Sequence, residues 1–282
     1  MISKNPMQLK AFVKNKAGES GISAQLVMQN YMMERLLERI SISDYKHNFI
    51  LKGGFLIAAI IGINARATMD MDATVKGLSL TKESLQKVFE EICSLPAPDN
   101  ISFAVNRISD IRDGDEYPGM RVYLIANYQP LAIPFVVDVT TGDKITPHEI
   151  EFSYKLMFDN RSISVMAYNL ESILAEKLET VLSRSIANTR PRDFYDLYIL
   201  KTLCGDDCDF HILRQALIET TNKRGSEYIM EEYREIVSAI QGSSQMQGFW
   251  EKYRKVYNYA KDIVFEETCA SVLSLMECIS IQ

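Results

Sequence analysis

Apolar positions change their spacing twice along the chain, and each change predicts a different kind of element. Over residues 1–45 they recur at helical intervals. Residues 7–16 read as a short amphipathic helix, broken over residues 18–21. Ser23 is placed to cap a longer helix running to about residue 39, with Leu26, Tyr31, Met33 and Leu37 among its apolar positions. Residues 45–48 form a polar connection. A strand over 49–51, a turn at Gly53-Gly54, a buried helix over 55–63 and a central strand over 67–75 follow. Thr81 and Ser84 offer caps for a helix whose Leu85, Val88, Phe89 and Ile92 fall on one stripe, and Pro96 and Pro98 end it. ISFAVNRI, MRVYLIANY and IPFVVDVTT each alternate, divided by turns at Tyr117-Pro118-Gly119 and Gly142-Asp143. These three strands predict an antiparallel addition to the first two, and so a mixed sheet with helices packed on it.

From about Leu170 the helical period returns and persists. Asn169 caps LESILAEKLETVLSRSI. Thr189 and Pro191 open PRDFYDLYILKTL, which Gly205 stops, and helices are expected over 210–220, 226–240, 247–267 and 269–279. The fold class is therefore α+β: a mixed-sheet core with flanking helices over residues 1–165, then a C-terminal helical domain over 166–282.

Composition narrows the class. At 282 residues, 47% hydrophobic and 24% charged, the chain can bury a sizeable core. A net charge of -6 excludes a broad basic surface but leaves room for a local basic pocket. The N-terminus lacks the apolar core of a secretory signal, and the longest apolar run, residues 55–63, is far short of the roughly 20 residues a membrane span needs. Five scattered cysteines point to reduced thiols and a cytoplasmic location.

The candidate chemistry starts at Asp70 and Asp72. At i and i+2 on a strand both side chains leave one face, and two converging carboxylates repel unless a cation such as Mg²⁺ or Mn²⁺ lies between them. Gly53 and Gly54 stand where a strand turns into a helix, so backbone N–H groups and the helix dipole there favour an anion such as a triphosphate. Asp138 sits among apolar residues on an expected neighbouring strand, as a third carboxylate or as the cap of the following turn. Lys177 lies beside an apolar helix edge, either as a triphosphate-neutralising cation or paired with Glu176 or Glu179. Arg192 and Asp196 are spaced to pair along one helix, while Asp193 or Asp196 is equally placed to orient Lys177 or to contact a nucleotide. Cys204, Cys208 and His211 lack a fourth ligand and read as structural or incidental. Trp250 reads as a packing anchor.

Together these motifs, LKGG…RATMDMD, FVVDVTTGD, EKLETVLSR and RPRDFYDLY, resemble the AbiEii/AbiGii-type nucleotidyltransferase toxins of the DNA polymerase β-like superfamily. The resemblance runs from about Gln29 to the WEKY segment. It implies an NTP-dependent, Mg²⁺-dependent nucleotidyltransferase core and a helical domain, acting as the toxin of a bacterial toxin–antitoxin or abortive-infection pair. Its partner is a cognate antitoxin, often of winged-helix type. Some members bind GTP, and relatives in the MenT group add nucleotides to tRNA 3′ ends; the expected substrate is therefore GTP or a pyrimidine NTP, and the expected acceptor RNA, tRNA first. Carried over by motif, Gly53 and Gly54 hold phosphate, Asp70 and Asp72 the metal, Lys177 the triphosphate, and Asp193 or Asp196 supplies the last motif. Much of the superfamily has Gly-Ser where this chain has Gly53-Gly54. Two other classes fit the same residues: a non-catalytic nucleotide-binding regulatory module and a small-molecule nucleotidyltransferase.

Overall fold

The computed structural model describes residues 5–111 and 119–280. It divides into two compact units, one of residues 5–111, 119–143 and 149–167, the other of residues 144–148 and 168–280.

The first unit opens with α1 (Pro6–Ser20) and α2 (Ala24–Ile42). α1 continues through Gly18, where the sequence suggested a break. Ser23 Oγ accepts from Leu26 N at 3.2 Å, as its position predicted. β1 (Phe49–Lys52) runs into α3 (Gly53–Ile61), followed by β2 (Asp70–Val75) and α4 (Lys82–Ser94). Then come β3 (Ser102–Asp110), β4 (Gly119–Tyr128), β5 (Leu131–Thr141), β6 (Ile150–Lys155) and β7 (Ser162–Ala167). Tyr117 and Pro118 of the expected turn lie outside the described residues.

The seven strands form one mixed sheet in the order β3-β4-β5-β2-β1-β7-β6. β2 pairs β5, and β1 pairs β7, in parallel; the other pairings are antiparallel. Strands β6 and β7 are absent from the sequence reading. Ile150, Glu151, Ser153 and Lys155 are solvent-exposed or nearly so, because β6 is an edge strand, and this removes the apolar alternation that betrays an inner one.

The strands of the central sheet bury every second side chain. Met71, Ala73, Val75, Met120, Val122, Leu124, Phe135, Val137 and Val139 belong to the core, together with Leu85, Val88, Phe89 and Ile92 of the predicted stripe on α4. α2 is buried almost throughout, charges included. Arg35 bridges Glu34 and Glu38 at 2.6 Å each, Glu34 accepts from Met157 N, and Glu38 accepts from Arg161. Arg39 forks onto Asp99 at 2.8 and 2.9 Å and donates to Ile101 O. Each buried charge thus has an opposite partner, the condition for keeping it inside. Burial pushes the Glu34 carboxyl up to about 7 against the opposing pull of Arg35.

The second unit is helical: α5 (Leu170–Arg184), α6 (Pro191–Cys204), α7 (Phe210–Arg224), α8 (Ile229–Gly242), α9 (Ser244–Val256) and α10 (Phe265–Ser280). Asn169 caps α5 through Ser172 N at 2.9 Å. The single helix expected over 247–267 is instead two. α9 ends at Val256, a 3-10 turn covers Asn258–Ala260, and α10 starts at Phe265 with Glu267 accepting from Val264 N. The break lets Tyr257 and Tyr259 stack on each other, with Tyr259 against Tyr195. Trp250 is fully buried and donates to Ile263 O, which makes it the predicted packing anchor. No helix of the described residues is long and apolar enough to cross a membrane.

Candidate active site

The face of the sheet opposite the apolar one carries the charge. Pairing places Lys52 of β1 opposite Asp72 of β2, Asp72 opposite Asp138 of β5, and Asp138 opposite Arg121 of β4. The four residues form one lateral row, and register partners point to the same side of a sheet. Asp70, two residues before Asp72, leaves the same face. The i, i+2 inference holds, and the third aspartate lies on the strand next to the pair.

Gly53 begins α3 with φ +66, a left-handed conformation that glycine adopts without penalty. A Cβ there would meet Asp72 Oδ2 at 2.2 Å and Asp72 Cγ at 2.7 Å. The carboxylate of Asp72 therefore lies directly on the glycine turn, and the turn and the aspartate are two halves of one local structure. Gly54 is tight for a different reason. A Cβ there would lie 3.0 Å from Arg66 Nη2 and 3.1 Å from Thr68 Oγ1, both on buried residues. Arg66 and Thr68 thus crowd the position from which a side chain would start. Thr68 also donates to Asp70 Oδ1 at 2.6 Å and so fixes that carboxylate.

Asp138 is held by Arg121, which donates from Nε to Oδ1 and from Nη2 to Oδ2, both at 2.7 Å. This fork raises the Arg121 guanidinium above its ordinary range. Lys52 donates to Asp143 Oδ2 at 2.6 Å, and Thr140 Oγ1 donates to the same oxygen at 2.7 Å. Among the described residues, no three His, Cys, Asp or Glu side chains are gathered as a metal cluster. Asp70 and Asp72 nonetheless supply hard oxygen donors on one strand face, a donor set that suits Mg²⁺ or Mn²⁺ with water and phosphate in the remaining positions. Each Asp138 oxygen accepts one bond from Arg121 and keeps a further lone pair free for a cation.

In the helical unit, Lys177 of α5 reaches two carboxylates of α6, Asp193 Oδ1 at 2.5 Å and Asp196 Oδ2 at 2.9 Å. Both aspartates orient it, where the sequence left one or the other. Glu176 and Glu179 reach Arg224. The alternative Arg192–Asp196 pair is replaced: Asp196 is fully buried and bonded to Lys177, while Arg192 is exposed. Five cysteines are free thiols, and burial pushes those of Cys93, Cys208 and Cys269 up to about 12, far from nucleophilic reactivity.

Sequence reasoning missed Lys52, Thr68, Arg121 and Asp143. Arg121 was legible in principle, as a polar residue on the alternate face of MRVYLIANY. Its partner was not, because register depends on which strands pair.

The model of the family described as nucleotidyl transferase AbiEii toxin, type IV TA system, matches residues 35–266. Among solved structures, a candidate nucleotidyltransferase from H. pylori aligns with TM-score 0.51 and 15% identity, covering 92% of this chain and 98% of its own. JHP933 from Helicobacter pylori aligns with TM-score 0.51 and 14% identity, covering 92% and 95%. At such identity the likeness shows the fold alone. A comparison with curated proteins gives no match.

Proposed function

The chain belongs to the AbiEii nucleotidyl transferase toxin family, and from that premise we propose that it transfers a nucleotide from an NTP to an RNA acceptor, tRNA first, in a Mg²⁺- or Mn²⁺-dependent reaction. The observation that carries this reading is the joint of β1, α3 and β2: two carboxylates on one strand face, one of them lying directly on a left-handed glycine at a helix start. A divalent ion bound there supplies positive charge to the triphosphate and to the attacking hydroxyl. Asp70 and Asp72 would hold it. The N–H groups of the first turn of α3, at Gly53 and Gly54, donate to phosphate oxygens. The acceptor oxygen bonds to the α-phosphorus, the bond to pyrophosphate breaks, and Asp138 serves as third carboxylate for metal or proton. In the helical unit, Asp193 and Asp196 orient the Lys177 ammonium. The physiological setting is growth arrest relieved by a cognate antitoxin.

The test is incubation of the purified chain with labelled NTPs, Mg²⁺ and total RNA, alongside Asp70→Asn. Wild type labels RNA, and the variant loses ~10²–10³-fold, the usual cost of deleting one transition-state stabilising group. Full activity in the variant overturns the reading. Nucleotide binding without turnover would make the chain a regulatory module, and label appearing only on small acceptors would make it a small-molecule transferase.

A further inference from the structure

The open sheet face continues beyond the carboxylates. The row Asp72–Asp138–Arg121 extends to Ser109 of β3, and the next row runs Asp70–Val136–Tyr123–Arg107. With strands about 4.8 Å apart, Arg107 lies three strands, ~15 Å, from Asp70. Across that distance the charge reverses, from three carboxylates to two guanidiniums, in a chain of net charge -6.

The far end is an organised cluster. The Arg107 guanidinium sits 3.9 Å from the centre of the Tyr123 ring. Ser109 and Arg121 hydrogen-bond the Tyr123 hydroxyl and, with Arg107 nearby, pull it below the ordinary tyrosine range. Arg107 is exposed, and among the described residues no carboxylate pairs with it. A guanidinium held against a ring, with no acidic partner among the described residues, is poised for an anion with two acceptor oxygens.

We propose that Arg107, Tyr123, Ser109 and Arg121 form the acceptor-strand subsite, binding the phosphodiester backbone of a single-stranded RNA 3′ end whose terminal hydroxyl points toward Asp70 and Asp72. This rests on the transferase reading. RNA is the occupant because the cluster combines phosphate-matching guanidiniums with an aromatic ring and is continuous with the carboxylates where a hydroxyl must be attacked. A phosphate on Arg121 also competes with Asp138 for that guanidinium.

The experiment is fluorescence anisotropy of the full chain with a dye-labelled single-stranded oligoribonucleotide, without NTP, over a salt series. Arg107→Glu weakens binding at least fivefold, and Arg107→Ala reduces the slope of log K against log salt by about 0.7, the loss of one single-strand phosphate contact. Arg107→Lys keeps the slope. Circular dichroism and melting temperature are followed in parallel, since Arg107 is exposed and its replacement leaves the fold intact. Unchanged affinity and slope in Arg107→Glu overturn the proposal, as does a wild-type chain that binds no RNA. Wild-type transfer to RNA with an Arg107-independent KM removes the subsite and leaves the transferase standing. Arg107-dependent binding without any transfer does the reverse.

Discussion

Gly53→Ala is the most informative single change, because two independent costs fall on one atom. The first is conformational. At φ +66 an alanine occupies the left-handed region, at a cost of about 1–2 kcal/mol. The second is steric. The new Cβ is fixed to the backbone and cannot rotate away, and it would lie 2.2, 2.7 and 2.8 Å from Oδ2, Cγ and Cβ of Asp72. Ordinary carbon contacts are about 3.5–4.0 Å, so Asp72 must move by about 1 Å or more. Overpacking of this kind costs about 1–3 kcal/mol. The sum, about 2–5 kcal/mol, corresponds to a melting temperature lower by about 4–20 °C for a unit of this size. On the proposed reading, in which Asp72 would hold the metal, a displacement of this size lowers turnover by ~10²-fold. Differential scanning fluorimetry and the RNA-labelling assay read the two effects. A cycle with Asp72→Gly separates them: with the aspartate side chain gone the steric cost disappears, and Gly53→Ala then costs only the about 1–2 kcal/mol of backbone strain. Gly54→Ala, whose nearest neighbours stand at 3.0–3.3 Å and whose φ is not left-handed, is the control and costs less. If Gly53→Ala melts within about 1 °C of wild type, or shows no coupling to Asp72→Gly, the inferred interdependence of turn and carboxylate is wrong.

Other changes test the rest of the structure. Lys177→Met leaves Asp193 and Asp196 facing each other while almost fully buried, and should cost about 3–5 kcal/mol in urea unfolding; a loss below about 1 kcal/mol would mean the triad is not a structural unit. Adding Asp196→Asn to that variant should recover part of the loss. Glu34 gives a pH dependence of unusual sign. Its folded value, about 7, lies above the unfolded 4.5, so between these values the folded state binds more protons. Stability should therefore fall as pH rises from about 4.5 to about 7, by of order 3 kcal/mol, and then level off. Glu34→Gln should flatten this decline in denaturant midpoints taken across that range, and an unchanged slope would assign the titration elsewhere.

Much of this protein was legible in its sequence wherever chemistry and periodicity coincide locally. The caps at Ser23, Thr81 and Asn169 accept the bonds their spacing announced. The i, i+2 aspartates share a face because strand geometry forces it. The order of the motifs sufficed for the family. The tertiary structure decided what depends on long-range pairing. β6 and β7 join the sheet through β1, a partner about 100 residues earlier in the chain. Asp138 faces Arg121 only because β4 and β5 pair in that register, and Lys177 takes Asp193 and Asp196 because α5 and α6 pack together. The physical reason is common to all three cases. A helix cap or a strand face is fixed within a few residues, whereas an ion pair is chosen by whichever opposite charge the fold brings within about 3 Å in a place that excludes water.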